Sequence, residues 1–227
     1  MCQDESHSSY WWLPTTFQEI ALNSVGYSKS SLDYIVGRYM GYVDETFKIF
    51  VPLKLDNHWY LMVVNFEDNG SLVYLDSLKD VTKKKERLDQ MNFVACFLQN
   101  LFKERKFYKR QESVCKQVSG FDFVEPYVTQ QDPRSNDSGV WVTHWMQTAS
   151  LWSTYNPEIV NDEHRYRLAI SLMTSKANRR LDELDLKAPN YYEGRDGCKS
   201  TEMAMSSDSN SITGAKAAPI TSDSIEF

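Results

Sequence analysis

Two apolar runs meet around an Asn-Gly pair: Tyr60-Leu61-Met62-Val63-Val64-Asn65-Phe66, then Asp68-Asn69-Gly70, then Ser71-Leu72-Val73-Tyr74-Leu75. Asn-Gly accepts the positive φ angles of tight hairpin turns, so this stretch predicts an antiparallel hairpin. The first run is apolar almost throughout, which predicts a strand buried on both faces. His58 precedes that strand and Asp76 follows the second. In an antiparallel hairpin those two positions lie at the same end of neighbouring strands, so the acid can hold one ring nitrogen and fix the tautomer of the imidazole.

The rest of the chain supplies helices and further strands. Pro14 and Thr15 after Tyr10-Trp11-Trp12-Leu13 predict a helix starting there, and Leu32, Ile35, Val36 and Tyr39 give a second helix one apolar face. Lys48 to Leu53 is β-rich, with Pro52 expected to end the strand or sit at its edge. From Lys79 to about Tyr108, Leu88, Met91, Ala95, Leu98 and Phe102 step by threes and fours, which predicts one long helix. Its Lys83, Lys84, Lys85 and Arg87, with Lys103, Arg105, Lys106, Lys109 and Arg110 further on, read as a solvated basic face rather than a nucleic-acid surface. Phe121 to Val124 and Tyr127-Val128 form a strand-like piece split by Pro126, and Ser138 to about Leu151 and Asn161 to about Arg180 predict two more helices. From Pro189 onward Ser, Thr, Asp, Asn and Ala dominate without apolar periodicity, which predicts a disordered tail.

Composition narrows the class. At 227 residues, with 41% hydrophobic and 13% aromatic residues, the chain fits one domain with a substantial core. A net charge of −6 argues against a dedicated nucleic-acid binder. Cys2, Cys96, Cys115 and Cys198 show neither close pairing nor metal-ligand spacing, and Met1-Cys2-Gln3-Asp4-Glu5 starts no signal peptide. No apolar run is long enough to span a bilayer. The expectation is a soluble intracellular protein in a reducing compartment, nuclear or cytoplasmic being left open, with no metal or cofactor.

One more stretch bears on chemistry. Asn136-Asp137-Ser138-Gly139-Val140-Trp141-Val142 places Ser138 where a loop enters a helix. Backbone N–H groups there favour an anion and can help hold an oxyanion. Taken singly, His58-Trp59 is a structural pair, Asp76-Ser77 a strand end and Ser138 a helix-start residue. Taken in order, they are a base, an orienting acid and a nucleophile-type side chain.

Together, Phe50-Val51-Pro52-Leu53, Asn57-His58-Trp59-Tyr60-Leu61, Leu75-Asp76-Ser77-Leu78 and Asn136-Asp137-Ser138-Gly139-Val140-Trp141-Val142 resemble the ubiquitin-like-protein-specific proteases. These are cysteine peptidases cleaving SUMO and related modifiers. The resemblance covers roughly residues 10–188, leaving 189–227 as the tail. It implies an α+β fold of the papain-like, adenain-like type, with a central, mostly antiparallel sheet flanked by helices. By position, His58 is then the base and Asp76 its orienting acid. Trp59 packs beside the narrow tunnel for a Gly-Gly modifier tail. Gln131 or Gln130 supplies the oxyanion donor, with Gln131 preferred although the loop to Ser138 is about one residue longer than the family's. The implied partner is a SUMO-type ubiquitin-like modifier or its conjugates, with no nucleic acid and no membrane; the oligomeric state stays open.

The chain departs from the family at its centre, because the nucleophilic cysteine is Ser138. It also begins close to Trp11-Trp12, so part of the usual catalytic region is expected to be missing or altered. Trp12 is expected as a core residue at a helix start rather than as a tunnel wall. A thiol of pKa about 8.5 can be drawn down to a thiolate, whereas a serine hydroxyl must lose its proton during attack. Severe loss of hydrolysis with tail binding kept is therefore expected. A chymotrypsin-like serine protease is disfavoured: only a hairpin separates His58 from Asp76, a helical stretch precedes Ser138, and glycine is sparse at 9. Ser138 is not in a Gly-x-Ser-x-Gly elbow either. Cys115 lies outside the constellation, and Cys96 reads as a packed small side chain in the long helix. An impaired peptidase, a pseudoprotease that binds without cutting and a degenerate copy remain the three readings.

Overall fold

A computed structural model of the protein describes residues 9–23, 28–148, 160–176, 178 and 180–183. Their centre is a five-stranded sheet in sequence order: β1 (Tyr10–Trp12), β2 (Lys48–Leu55), β3 (His58–Asn65), β4 (Ser71–Leu75) and β5 (Asp122–Val124). The long central pairings are antiparallel, and the two short edge pairings, β1 with β2 and β4 with β5, are parallel. The expected hairpin is β3–β4, with Leu61 opposite Leu75. A second hairpin joins β2 to β3 through Asp56-Asn57, where Asp56 takes a left-handed φ of 54°. Asp tolerates that conformation better than most residues.

β3 is buried on both faces, as its composition predicts. Tyr60, Met62 and Val64 belong to a core shared with α1 (Thr16–Leu22), α2 (Lys29–Tyr39) and α3 (Val81–Leu101). Leu61 and Val63 join Phe50, Val73 and Leu75 on the opposite face, against Trp141, Val142 and Trp145 of α4 (Ser138–Thr148). The strand period of two thus assigns alternate residues to two cores. Each fully buried side chain of the size of Phe50 or Leu61 contributes at most about 1.5–3 kcal/mol to stability.

Several expectations need correction. The helix expected after Pro14 is there as α1, but Tyr10–Trp12 before it is itself a strand; parallel pairing with β2, not local propensity, decides it. Trp11 is the core residue, and Trp12 is 38% exposed, stacked on Phe50 with its Nε1 donating to the Met146 carbonyl at 3.1 Å. Pro52 lies inside β2, yet β1 pairs no further than Phe50, so that side of β2 is an open edge at Pro52. Two residues later Gln18 of α1 closes the edge: its Oε1 accepts from the Lys54 N–H at 2.6 Å and its Nε2 donates to the Lys54 carbonyl at 2.8 Å. The long helix ends at Leu101, not near Tyr108, and a 3₁₀ turn follows at Arg105–Phe107. Only Asp122–Val124 of the split piece is a strand. Cys96 is exposed rather than packed.

Acids meet part of the basic region. Lys83 pairs with Asp56, Lys84 with Glu125, Lys85 with Asp89, Lys106 with Glu104 and Lys109 with Glu45. Arg87 is buried and pairs with Asp76, whereas Lys103 and Arg105 donate to the Asn100 side chain and the Ser113 carbonyl. The helix expected from Asn161 to about Arg180 is α5, which runs Asp162–Thr174. By contact the chain divides into units 1–172 and 173–227; in the second, Asn178 Nδ2 donates to the Met173 carbonyl and Arg180 pairs with Glu183. The expected tail, 189–227, lies outside the described residues, as does the stretch of the fourth helix beyond Thr148. Among the described residues no helix is long and apolar enough to cross a membrane.

Candidate active site

The hairpin delivers His58 and Asp76 to one end of the sheet, where His58 Nε2 and Asp76 Oδ1 are 2.6 Å apart. A carboxylate only accepts, so Nε2 carries a proton, and the tautomer this selects has its lone pair on Nδ1. Asp76 is 1% exposed. Its Oδ1 also accepts from the Leu78 N–H at 2.9 Å, and its Oδ2 accepts from Tyr74 Oη and Arg87 Nη1. Burial alone pushes its carboxyl up. The hydrogen bonds from His58, Tyr74 and Leu78 and the Arg87 charge outweigh that and hold it below the usual carboxylate range. Burial, then the neighbouring Asp76 carboxylate, push the Tyr74 phenol far up, so Tyr74 stays a donor. Arg87 reaches on to the Leu78 carbonyl at 3.0 Å and so fixes the turn that carries Asp76.

Ser138 arrives from the other side of the sheet, in the first turn of α4. Its Oγ, in a 5% exposed residue, accepts the Trp59 N–H at 3.2 Å. The nucleophile-type hydroxyl therefore sits against the peptide that joins His58 to Trp59. Gly139 lies under the Trp59 indole; a Cβ there would stand 3.6 Å from Trp59 Cδ1. On β2, Lys54 Nζ lies 5.5 Å from the centre of the same ring.

Both glutamines are tied to the strand end that carries Asp76. Gln130 donates through Nε2 to the Asp76 and Val128 carbonyls, at 3.0 and 3.2 Å, and accepts from the Lys79 N–H. Those two bonds use both its amide hydrogens. Gln131 is buried; its Oε1 accepts from Ser77 Oγ at 2.7 Å and its Nε2 donates to the Ser135 carbonyl at 3.1 Å. That bond uses one of its two amide hydrogens and links the loop before Ser138 to the turn after Asp76.

Sequence reading missed Tyr74, Arg87 and the Trp59 N–H. Arg87 left a signal: it falls four residues before Met91, on the buried stripe of α3, where an arginine needs a buried partner. Asp137 is held by Arg165 of α5, whose Nε reaches Oδ1 at 2.8 Å and whose Nη2 reaches Oδ2. That hydrogen bond and charge hold the Asp137 carboxyl below the usual range. Among the described residues no cluster of three His, Cys, Asp or Glu side chains could hold a metal ion.

A two-faced α+β sheet that presents a histidine–carboxylate pair to the first turn of a helix defines a domain of the papain-like cysteine-protease type. Residues 43–183 match the Ulp1 protease family, C-terminal catalytic domain, and the chain belongs to that family. Among solved structures, the SUMO protease Ulp1 with its catalytic cysteine oxidised to a sulfenic acid is 20% identical, with a TM-score of 0.47 over 69% of this chain and 64% of that one. The C-terminal Ulp1 protease domain in complex with Smt3, the yeast ortholog of SUMO, is 22% identical, with a TM-score of 0.44 over 64% of this chain and 59% of that one. A mutant of Xanthomonas XopD is 15% identical, with a TM-score of 0.42 over 71% and 84%. The chain thus spans less than two thirds of the length of the two Ulp1 structures. No curated protein sequence matches it.

Proposed function

We propose that this domain is a ubiquitin-like-modifier peptidase or isopeptidase whose hydrolysis is impaired by Ser138. Its partner is a SUMO-type modifier or a conjugate of one, cut after the modifier's C-terminal glycine. The observation that carries the reading is the assembled set of His58 bonded to Asp76 at 2.6 Å with Ser138 Oγ held 3.2 Å from the Trp59 N–H.

In this reading Ser138 Oγ attacks the carbonyl carbon of the terminal glycine while its proton passes to His58 Nδ1. The oxyanion takes N–H groups at the start of α4 and the remaining amide hydrogen of Gln131. Collapse of the intermediate breaks the glycine–amine bond, and the amine leaves with the proton from His58. Water, deprotonated by His58, then hydrolyses the ester. Trp59, lying over Gly139, walls the path of the diglycine tail. The step that suffers is the first, because a hydroxyl is far less acidic than a thiol.

A second reading, a pseudoprotease that binds the modifier without cutting, is favoured by the same contact. A hydroxyl oxygen that already accepts a backbone N–H has less electron density for attack. One experiment separates the two: cleavage of a panel of ubiquitin-like modifiers bearing a C-terminal fluorogenic group, by the native chain and by Ser138→Cys. The impaired-peptidase reading expects measurable cutting by the native chain and faster cutting by Ser138→Cys. Cutting by Ser138→Cys alone makes the native chain a pseudoprotease. Cutting by neither, with both folded, removes the protease reading for every modifier in the panel.

A further inference from the structure

Helix α5 meets the turn before Ser138 through one charged grip. None of its side chains is buried, yet Arg165 takes both carboxylate oxygens of Asp137 with Nε and Nη2. Arg165 is itself set by its own helix, through Nη1 to Asp162. His144 of α4 and His164 of α5 pack edge to face beside it, with ring centres 4.7 Å apart. Asp137 directly precedes Ser138, and its carbonyl accepts the first helical hydrogen bond of α4, from the Trp141 N–H at 3.0 Å.

That makes Asp137 the cap residue of α4. An aspartate in this position ordinarily turns its carboxylate onto the free N–H groups of the first turn. In a protease of this type those groups are wanted by the anion that forms at the nucleophile or on the substrate carbonyl. A cap carboxylate would occupy them and repel that anion. We propose that Arg165 is a positioning residue: by gripping both oxygens of Asp137, it draws that negative charge off the start of α4 and leaves the amides for the reaction's own anion. The proposal rests on the protease reading of Ser138.

The test needs no modifier. In Ser138→Cys the introduced thiol reports the potential at this point through its ultraviolet thiolate absorbance, followed against pH after subtraction of the matching Ser138 chain. Subtraction removes the four native cysteines. The other ionisable groups around it are His58 and Asp76 at the sheet end, Lys54 over the Trp59 ring, Asp162 on α5 and the His144–His164 pair, and all are kept in every variant.

Adding Arg165→Gln frees the Asp137 charge. It is expected to raise the thiol's titration midpoint by about one pH unit, a roughly tenfold loss of thiolate below the midpoint. Adding Asp137→Asn as well removes that charge and returns the midpoint to the starting value. Asp137→Asn alone keeps a good cap and lowers the midpoint, because one negative charge beside the thiol is gone while Arg165, held by Asp162, stays; this variant decides the matter if Arg165→Gln does not fold. An unchanged midpoint in folded Arg165→Gln, or equal midpoints for Arg165→Gln with and without Asp137→Asn, overturns the proposal. So does an unchanged or raised midpoint in Asp137→Asn alone. If Ser138→Cys titrates as an ordinary thiol, near about 8.5, the protease reading of the site fails, while the differences between variants still decide the role of Arg165.

Discussion

A carboxylate leaves water at a cost of several kcal/mol unless donors replace the solvent, and Asp76 has four: His58, Tyr74, Arg87 and the Leu78 N–H. Arg87 carries the compensating charge, so its removal leaves a buried anion unpaired. Arg87→Met is expected to lower the free energy of unfolding by about 3–5 kcal/mol, measured by urea denaturation. Arg87→Lys recovers only part of this, because both bonds leave Nη1, and a lysine nitrogen ends one bond nearer the backbone than Nη1 does. Combining Arg87→Met with Asp76→Asn costs less than the sum of the two single changes, since the partner charge is also gone. If the costs simply add, Arg87 and Asp76 are not coupled. At this scale the sequence was legible where order and residue type coincide, as for His58 and Asp76. Arg87 was not read, because a lysine-rich helix start hides a single inward arginine unless its place on the apolar stripe is counted.

At the scale of elements, two glycines predict opposite outcomes. Gly70 closes the β3–β4 turn at φ 80°, and a Cβ there would stand 2.4 Å from the Phe121 ring, which packs edge-on against Phe66 at 6.0 Å. Gly70→Ala therefore meets both a disfavoured φ and an aromatic ring, and is expected to destabilise by more than about 1 kcal/mol in thermal or urea unfolding. Gly37 is exposed on α2, and a Cβ added there would have no neighbour within 4 Å. Gly37→Ala is expected to stabilise by about 0.5–1 kcal/mol. Equal effects at the two positions would mean that neither local conformation is as described. The hairpin was legible from the Asn69-Gly70 turn signal, but the turn is longer than a tight two-residue one: Asn65 pairs with Ser71, and the positive φ angles fall at Asp68 and Gly70 rather than at Asn69. Strand β1 was not, because Tyr10–Trp12 is held by a parallel pairing with residues far along the chain. The end of α3 was missed as well, since neither Gly nor Pro stands between Leu101 and Arg105.

For the whole molecule, the acids that join its parts share a sign. Asp76 binds the sheet end to α3. Asp44 accepts the Lys109 and Arg110 N–H groups and Ser113 Oγ, tying the turn before β2 to the segment after α3. Glu125 pairs with Lys79 and Lys84, tying the segment after β5 to the start of α3. At all three, burial pushes the carboxyl up, and hydrogen bonds or lysine charges outweigh it and leave the group below its ordinary value. A carboxyl depressed in the folded state binds fewer protons than in the unfolded one. Its stabilisation is fully present above the unfolded value, about 3.9 for Asp, and is lost as pH falls through the folded value. The fold is therefore expected to hold its urea midpoint down to about pH 5 and lose it progressively below about pH 4. Asp76→Asn, less stable at neutral pH because Arg87 is left unpaired, is expected to lose less over that same interval, so its curve approaches the parent's as the acid end is reached. Curves that stay parallel from neutral to acid pH would show that Asp76 is not the depressed, charge-bearing carboxylate at the junction of sheet and helix.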